Sequence, residues 1–252
     1  MTYKIGLADY GLDVWYGGCY NLEQRLELLK ECGIDGIECL RASDMAEAVQ
    51  NATLFHRIGM DFASCSMASP ELTMKCACAF GKEYVWFPMR CGRDIPFAEY
   101  CRRANGFVKA AAWYNLKGAL HNHLGARVES QKELEDFMQA VPGATLLLDI
   151  AHMHAAEGDC VELIRKYHHR LAAVHFKDIY YIDKNISLER WYERLSFCEL
   201  GGGNAGLDYV KIAEELIKNH YQRWILIEQD THLQEPKTDL KKSAGILKTL
   251  FA

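Results

Sequence analysis

The chain has 252 residues, half of them apolar, and a formal net charge of −5. That length buries a full core, and α/β barrels of roughly 250 residues commonly form one domain, so a single domain over 1–252 is expected. Lys and Arg are not clustered, which removes the electrostatic case for a nucleic-acid or membrane surface and leaves a small molecule as the expected partner.

Lys4–Ala8 reads as a first strand. Asn21 then caps a helix in which Leu22, Leu26 and Leu29 recur at helical spacing until Gly33 stops it. Ile37–Leu40 is a second strand, followed by a helix from Asp44 to Ile58 that ends at Gly59. Further strands are expected at Phe62–Met67, Tyr84–Pro88, Gly118–His121, Thr145–Asp149, Ala172–Phe176 and Trp224–Glu228. Helices are expected at Pro70–Phe80, Pro96–Asn115, Ser130–Val141, Cys160–His168, Leu207–Asn219 and Lys237–Leu250. Eight strands alternating with helices demand parallel pairing through right-handed crossovers. With no Gly-rich dinucleotide turn after the first strand, the pattern favours a closed (β/α)8 TIM barrel over an open sheet.

One connection is long, from Ile179 to Gly206, and a loop of that length on the strand-end face is expected to act as a lid or substrate wall. Within it, Trp191 and Tyr192 stand among Glu189, Arg190, Glu193 and Arg194, giving a solvated helix with one apolar face. That face covers a pocket or packs on a second subunit, so a homo-oligomer is the alternative use. The ten cysteines mostly lie in apolar stretches, and Cys76 and Cys78 lack a second pair at zinc-site spacing. They read as reduced, structural thiols of a cytoplasmic protein. The opening MTYKIGLADYG has no secretory leader pattern, and no apolar run approaches the ~18 residues of a membrane span.

Acidic or imidazole groups stand near the ends of four successive strand-like runs: Glu129 after GALHNH, Asp149 in TLLLDIAH, His175 in AAVHFKD and Glu228 in WILIEQD. Oxygen and imidazole donors converging from separate strands suit one divalent ion, Mn, Mg, Co or Zn. Charged residues inside apolar strands are costly to bury unpaired, so each needs a cation, a partner or water. Glu129 has a second role open to it, as an acidic residue at a helix N-terminus. His121 and His123 share a strand face, and either is a base or replaces Glu129 as ligand. His152 is placed to bond a substrate hydroxyl or carbonyl. Lys177 shares the face of His175 and meets a developing enolate oxygen or, equally, pairs with Asp178 or Asp230. Tyr10, Trp15, Trp86 and Trp191 are candidates to wall a sugar, with Asp230 beside them in substrate binding. Gly201–Gly203 lacks a Walker lysine and is read as a turn into the next helix.

With these residues in place the chain resembles the xylose isomerase-like TIM barrels of the sugar-phosphate isomerase/epimerase superfamily. The likeness runs through GIDGIECL, HNHLGARVES, LLLDIAHMHAAEGD, RLAAVHFKDI, GGGNAGLDY and HYQRWILIEQD, and among the branches it is most similar to inosose dehydratase-like proteins. The resemblance implies a ligand set of Glu129, Asp149, His175 and Glu228. Two departures stand out: the fifth strand carries His121 where several epimerases have a glutamate, and the chain is shorter than typical inosose dehydratases. Endonuclease IV shares the barrel, but its three-zinc site needs more His and Glu ligands. The expected activity is a metal-dependent sugar isomerase or epimerase that removes a proton beside a carbonyl, through an enediolate. Its substrate is expected to be a sugar, keto-sugar or cyclitol. The catalytic groups are expected among Glu129, Glu228, His121, His123 and Lys177. The alternatives are a lyase or dehydratase of a keto-sugar or inosose, and a catalytically silent sugar-binding barrel.

Overall fold

The computed structural model describes residues 3–8, 12, 21–88, 93–230 and 234–252. Its first half runs β1 (Lys4–Ala8), α1 (Leu22–Glu31), β2 (Gly36–Arg41), α2 (Met45–Ile58), β3 (Asp61–Ser66), α3 (Pro70–Ala79), β4 (Tyr84–Trp86) and α4 (Phe97–Trp113). Then come β5 (Lys117–His121), α5 (Gln131–Ala140), β6 (Thr145–Asp149), α6 (Ile150–Ala155), α7 (Cys160–Tyr167) and β7 (Leu171–Phe176). The last part holds β8 (Asp178–Tyr181), α8 (Trp191–Arg194), β9 (Leu195–Cys198), α9 (Tyr209–Lys218), β10 (Trp224–Glu228) and α10 (Pro236–Leu250).

The helix starts have a local chemical cause. Asn21, Asp44, Ser69, Ser130, Asp159 and Asp208 each accept a backbone N–H from the first turn that follows, and a cap of this kind is typically worth ~1 kcal/mol. Ser130 and Glu133 complete a reciprocal capping box at α5. Gly59 closes α2 at φ 77°, in the left-handed region that glycine enters without strain.

Eight strands pair in parallel in the order β3-β2-β1-β10-β7-β6-β5-β4 and form a nearly closed barrel. The seam between β3 and β4 has no backbone ladder among the described residues; Ser64 Oγ donates to Tyr84 O across it at 2.7 Å. Alternation along each strand divides the side chains. Leu146, Leu148 and Val174 belong to the large core that includes the helices, whereas Ala63, Tyr84, Ala119, Leu147, Ala173 and Leu226 form a smaller cluster. Strands β6 and β7 are buried at every position, which is why they read as unbroken apolar runs. Two residues beyond Ala119, Leu147, Ala173 and Leu226, on the same strand faces, come His121, Asp149, His175 and Glu228. Strand parity thus stacks a polar layer on an apolar one at the carboxyl ends.

The long connection is not an open loop. β8 and β9 pair antiparallel outside the barrel, and α8 lies between them. Asp178 Oδ2 accepts from Gly201 N and Gly203 N, each at 3.0 Å. A Cβ on Gly203 would sit 2.3 Å from Asp178 Oδ1 and from Ile179 O, so glycine is needed there for close approach. The short α6 was not expected, since a six-residue element has too few turns to show a period. No disulfide forms among the described cysteines, and Cys32, Cys65, Cys76, Cys101, Cys160 and Cys198 are buried. Among the described residues no helix is long and apolar enough to cross a membrane.

Candidate metal and active site

Four strand ends bring His121, Asp149, His175 and Glu228 together, with one donor atom of each within 4.8 Å of all the others. His121 Nε2 lies 3.5 Å from Asp149 Oδ2. His175 Nδ1 lies 3.7 Å from the same oxygen and 2.6 Å from Glu228 Oε2. Donors ~2.1 Å from a shared cation stand about 3–4 Å apart, so the wider pairs must close slightly and the His175–Glu228 pair, at 2.6 Å, must open for the group to surround an ion. His121 Nε2 is buried and makes no hydrogen bond, while Asp149 Oδ2 has the Lys177 ammonium at 3.1 Å. An unsatisfied buried polar atom costs about 1–3 kcal/mol, and a divalent cation is a partner that would satisfy His121. The other oxygen of Asp149 caps α6, accepting from His152 N at 2.8 Å, which fixes the carboxylate's orientation. The residues present therefore fit one divalent ion, which two imidazoles and two carboxylates could hold.

Glu129, expected from the sequence as a ligand, is not among the four side chains brought together here. It lies beyond the turn at Gly125, where φ is +76°, and its carboxylate accepts from Gly125 N and faces Arg93 at 4.0 Å. β5 ends at His121, so that side chain, not one eight positions later, reaches the strand-end layer. Tyr10 and Trp15 lie outside the described residues.

Lys177 is fully buried beside the quartet. Its Nζ stands 3.1 Å from Asp149 Oδ2, 3.1 Å from Glu228 Oε2, 3.4 Å from Asp230 Oδ2 and 3.0 Å from His152 Nε2. It also lies 4.1 Å above the Phe197 ring. Of the two salt-bridge partners expected for it, Asp230 is present, while Asp178 is bound to the glycine turn. Burial works against the ammonium, yet Asp149, Asp230 and Glu228 outweigh it and hold the Lys177 pKa above its ordinary value. This residue is a fixed cation, not a free amine.

The same field separates its neighbours. Burial opposes the charged form of Glu228, but Lys177 and His175 hold its pKa down at about 2. Burial raises that of Asp230 in spite of Lys177. Asp149 is held well below the usual carboxylate range, against its burial, by Lys177 and His152. Burial and Lys177 keep His152 neutral, and burial with His121 and Lys177 lowers His123 to about 4. For His175, burial disfavours the charge while Glu38 and Glu228 favour it, and its pKa rises well above the ordinary value.

Aromatic faces surround these groups. Trp86 packs 4.9 Å from His121 and 5.9 Å from His175. Trp191 meets His123 at 5.8 Å and His152 at 6.1 Å, so α8 lies over the strand ends, while Tyr192 of the same helix is exposed. Sequence reasoning missed Glu38, buried on β2 against His175. The signal was there in GIECLR, a carboxylate inside an apolar strand, as in LLLDI.

A family model described as xylose isomerase-like TIM barrel matches residues 66–250. An inosose dehydratase of Lactiplantibacillus plantarum is 28% identical over 145 residues, covering 54% of this chain and 48% of that protein. An inosose dehydratase of Glaesserella parasuis is 25% identical over 209 residues, covering 78% of this chain and 67% of that one. The matched region thus spans about half of the first relative and two thirds of the second. A solved structure of an L-ribulose 3-epimerase superposes with a TM-score of 0.75 over 99% of this chain and 95% of that one, at 15% identity, a likeness of fold.

Proposed function

Because this chain belongs to the xylose isomerase-like TIM barrel family, we propose that it is a divalent-metal lyase of a keto-sugar or cyclitol. It removes a proton beside a carbonyl and expels the β-hydroxyl as water. The observation that carries elimination over epimerisation is the placement of the acidic groups. Glu228 and Asp230 leave the same strand end and meet at Lys177, whereas β5 presents His121 in place of a carboxylate. Epimerisation needs proton-transfer groups on opposite faces of the substrate carbon. Elimination needs a base and an acid, and two neighbouring carboxyls with separated pKa values supply that pair.

His121, Asp149, His175 and Glu228 would hold the ion, which when bound supplies Lewis-acid stabilisation of negative charge on the carbonyl oxygen, worth several kcal/mol. Glu228, ionised at neutral pH, receives the proton from carbon. Asp230, which burial makes a weaker acid than an ordinary aspartic acid, stands beside it as the group placed to pass a proton to the departing hydroxyl. Lys177 offsets the charge of Glu228 without leaving its cage, and Trp191 shields the strand-end face from water. A buried His121 Nε2 without a hydrogen bond also argues against a silent binder, which has no use for it.

The test is a panel of keto-sugars and inososes incubated with metal-loaded protein in D2O. Loss of one water per turnover is expected, with Glu228→Gln folded but inactive in exchange and Asp230→Asn still exchanging while losing less water. A product that keeps every hydroxyl and is inverted at the exchanging carbon would overturn elimination in favour of epimerisation.

A further inference from the structure

We infer that Glu38 is a positioning residue that fixes the tautomer of His175, so that Nδ1 alone is offered to the cation. The inference rests on the metal-site reading above and adds a residue outside the ligand group. Glu38 projects from β2 and is buried, with Oε2 3.1 Å from His175 Nε2. Its Oε1 accepts from Trp86 Nε1 at 2.9 Å and from Tyr84 Oη at 3.2 Å. A carboxylate only accepts, so three donors are matched by three acceptor directions, and His175 must keep its proton on Nε2. Nδ1 faces Asp149 and Glu228, and the proton it shares with Glu228 at 2.6 Å is the one a cation would displace, so that with Nε2 engaged by Glu38 the ligating lone pair is freed on Nδ1.

The same carboxylate sets the indole beside the ligands. Trp86 is held through its Nε1–H, and its ring packs on both His121 and His175. Glu38 therefore connects β2, β4 and β7 from the side of His175 opposite the metal group. An outer carboxylate of this kind orients a ligating imidazole and raises its basicity, and its loss typically costs 10–100-fold in metal affinity.

Glutamine at this position retains one accepting oxygen and gains an NH2. If the oxygen serves His175, the NH2 confronts Trp86 Nε1–H, and if it serves Trp86, the NH2 confronts His175. Glu38→Gln is therefore expected to bind Co(II) about 10–100-fold more weakly, with a changed visible Co(II) spectrum and an intact circular dichroism spectrum. Adding Trp86→Phe removes the competing donor and should recover part of that affinity. A purely packing role predicts instead that the two losses add.

A second measurement needs no variant. In the Zn(II)-loaded unsubstituted protein with 15N-labelled histidine, His175 should show a protonated Nε2 and a metal-bound Nδ1. Parent-like Co(II) affinity and spectrum in Glu38→Gln, additive losses in the double variant, or Nε2 ligation by His175 would each overturn this role while leaving the metal site standing. Absence of Co(II) or Zn(II) binding by the unsubstituted chain would overturn both.

Discussion

Lys177→Met tests the electrostatics of the site most directly, because it replaces a buried cation by an apolar chain of similar reach. Lys177 Nζ has three carboxylates within 3.4 Å and no solvent exposure. Removing one partner of a buried ion pair typically costs about 3–5 kcal/mol, since the remaining charge is left uncompensated in a poorly solvated place. In chains of this size each kcal/mol moves Tm by about 2–4 °C, so the metal-free variant should melt about 6–20 °C below the parent. A divalent cation should narrow that gap, because it binds the negative cluster that Lys177 no longer neutralises. At 100 times Kd, ligation adds ~2.7 kcal/mol to the folded state. The assay is thermal unfolding by circular dichroism, in chelator and then in Mn(II). A metal-free variant melting within about 2 °C of the parent would show that Lys177 does not offset the carboxylates, and a gap indifferent to Mn(II) would separate the cation cage from the metal site.

Metal affinity should rise with pH: the carboxylates keep His175 protonated well above its usual range, and a cation on Nδ1 must displace that proton. Calorimetric titration in buffers of different ionisation enthalpy should register about one proton released per ion, and proton-neutral binding would contradict it. At the mouth of the barrel the Glu133 pKa falls from 4.5 to about 2, since Arg93 and the N–H groups of Glu129 and Ser130 outweigh partial burial. Its folded value is depressed, so its stabilisation is complete above pH ~4.5 and lost as the pH falls toward ~2. Glu133→Gln should flatten the stability curve across that window, and an unchanged slope would count against the carboxylate. Gly203→Ala drives a methyl group into Asp178 and Ile179 O, and overpacking of this kind costs about 1–3 kcal/mol. Hydrogen exchange should therefore quicken in the β8–β9 hairpin before it does in β6 and β7, and uniform protection across all four strands would refute the clamp.

The alternation of strands and helices was legible because its causes are local. Side chains of Thr145–Asp149 and Leu171–Phe176 declare burial on both faces, and Asn21, Asp44 and Ser130 mark helix starts. Asp149, His175 and Glu228 were legible for the same reason, as polar groups at the ends of apolar strands. Fourth place in the group was not. Glu129 and His121 are both acceptable donors by type, and only the point at which β5 stops and Gly125 turns the chain decides between them. The hairpin inside the long connection was hidden too, because β8 and β9 have four residues each and pair with one another outside the barrel.

The sequence by itself determined which strands carry polar side chains toward the barrel's interior, since period-two alternation is a property of each strand alone. The tertiary structure alone decided which of those side chains meet. Glu38 reaches His175 across 137 positions of sequence, and Lys177 reaches Asp230 across 53. Those meetings depend on the stagger of β2, β7 and β10 as the sheet closes, and each strand's own pattern repeats every two residues whatever that stagger is.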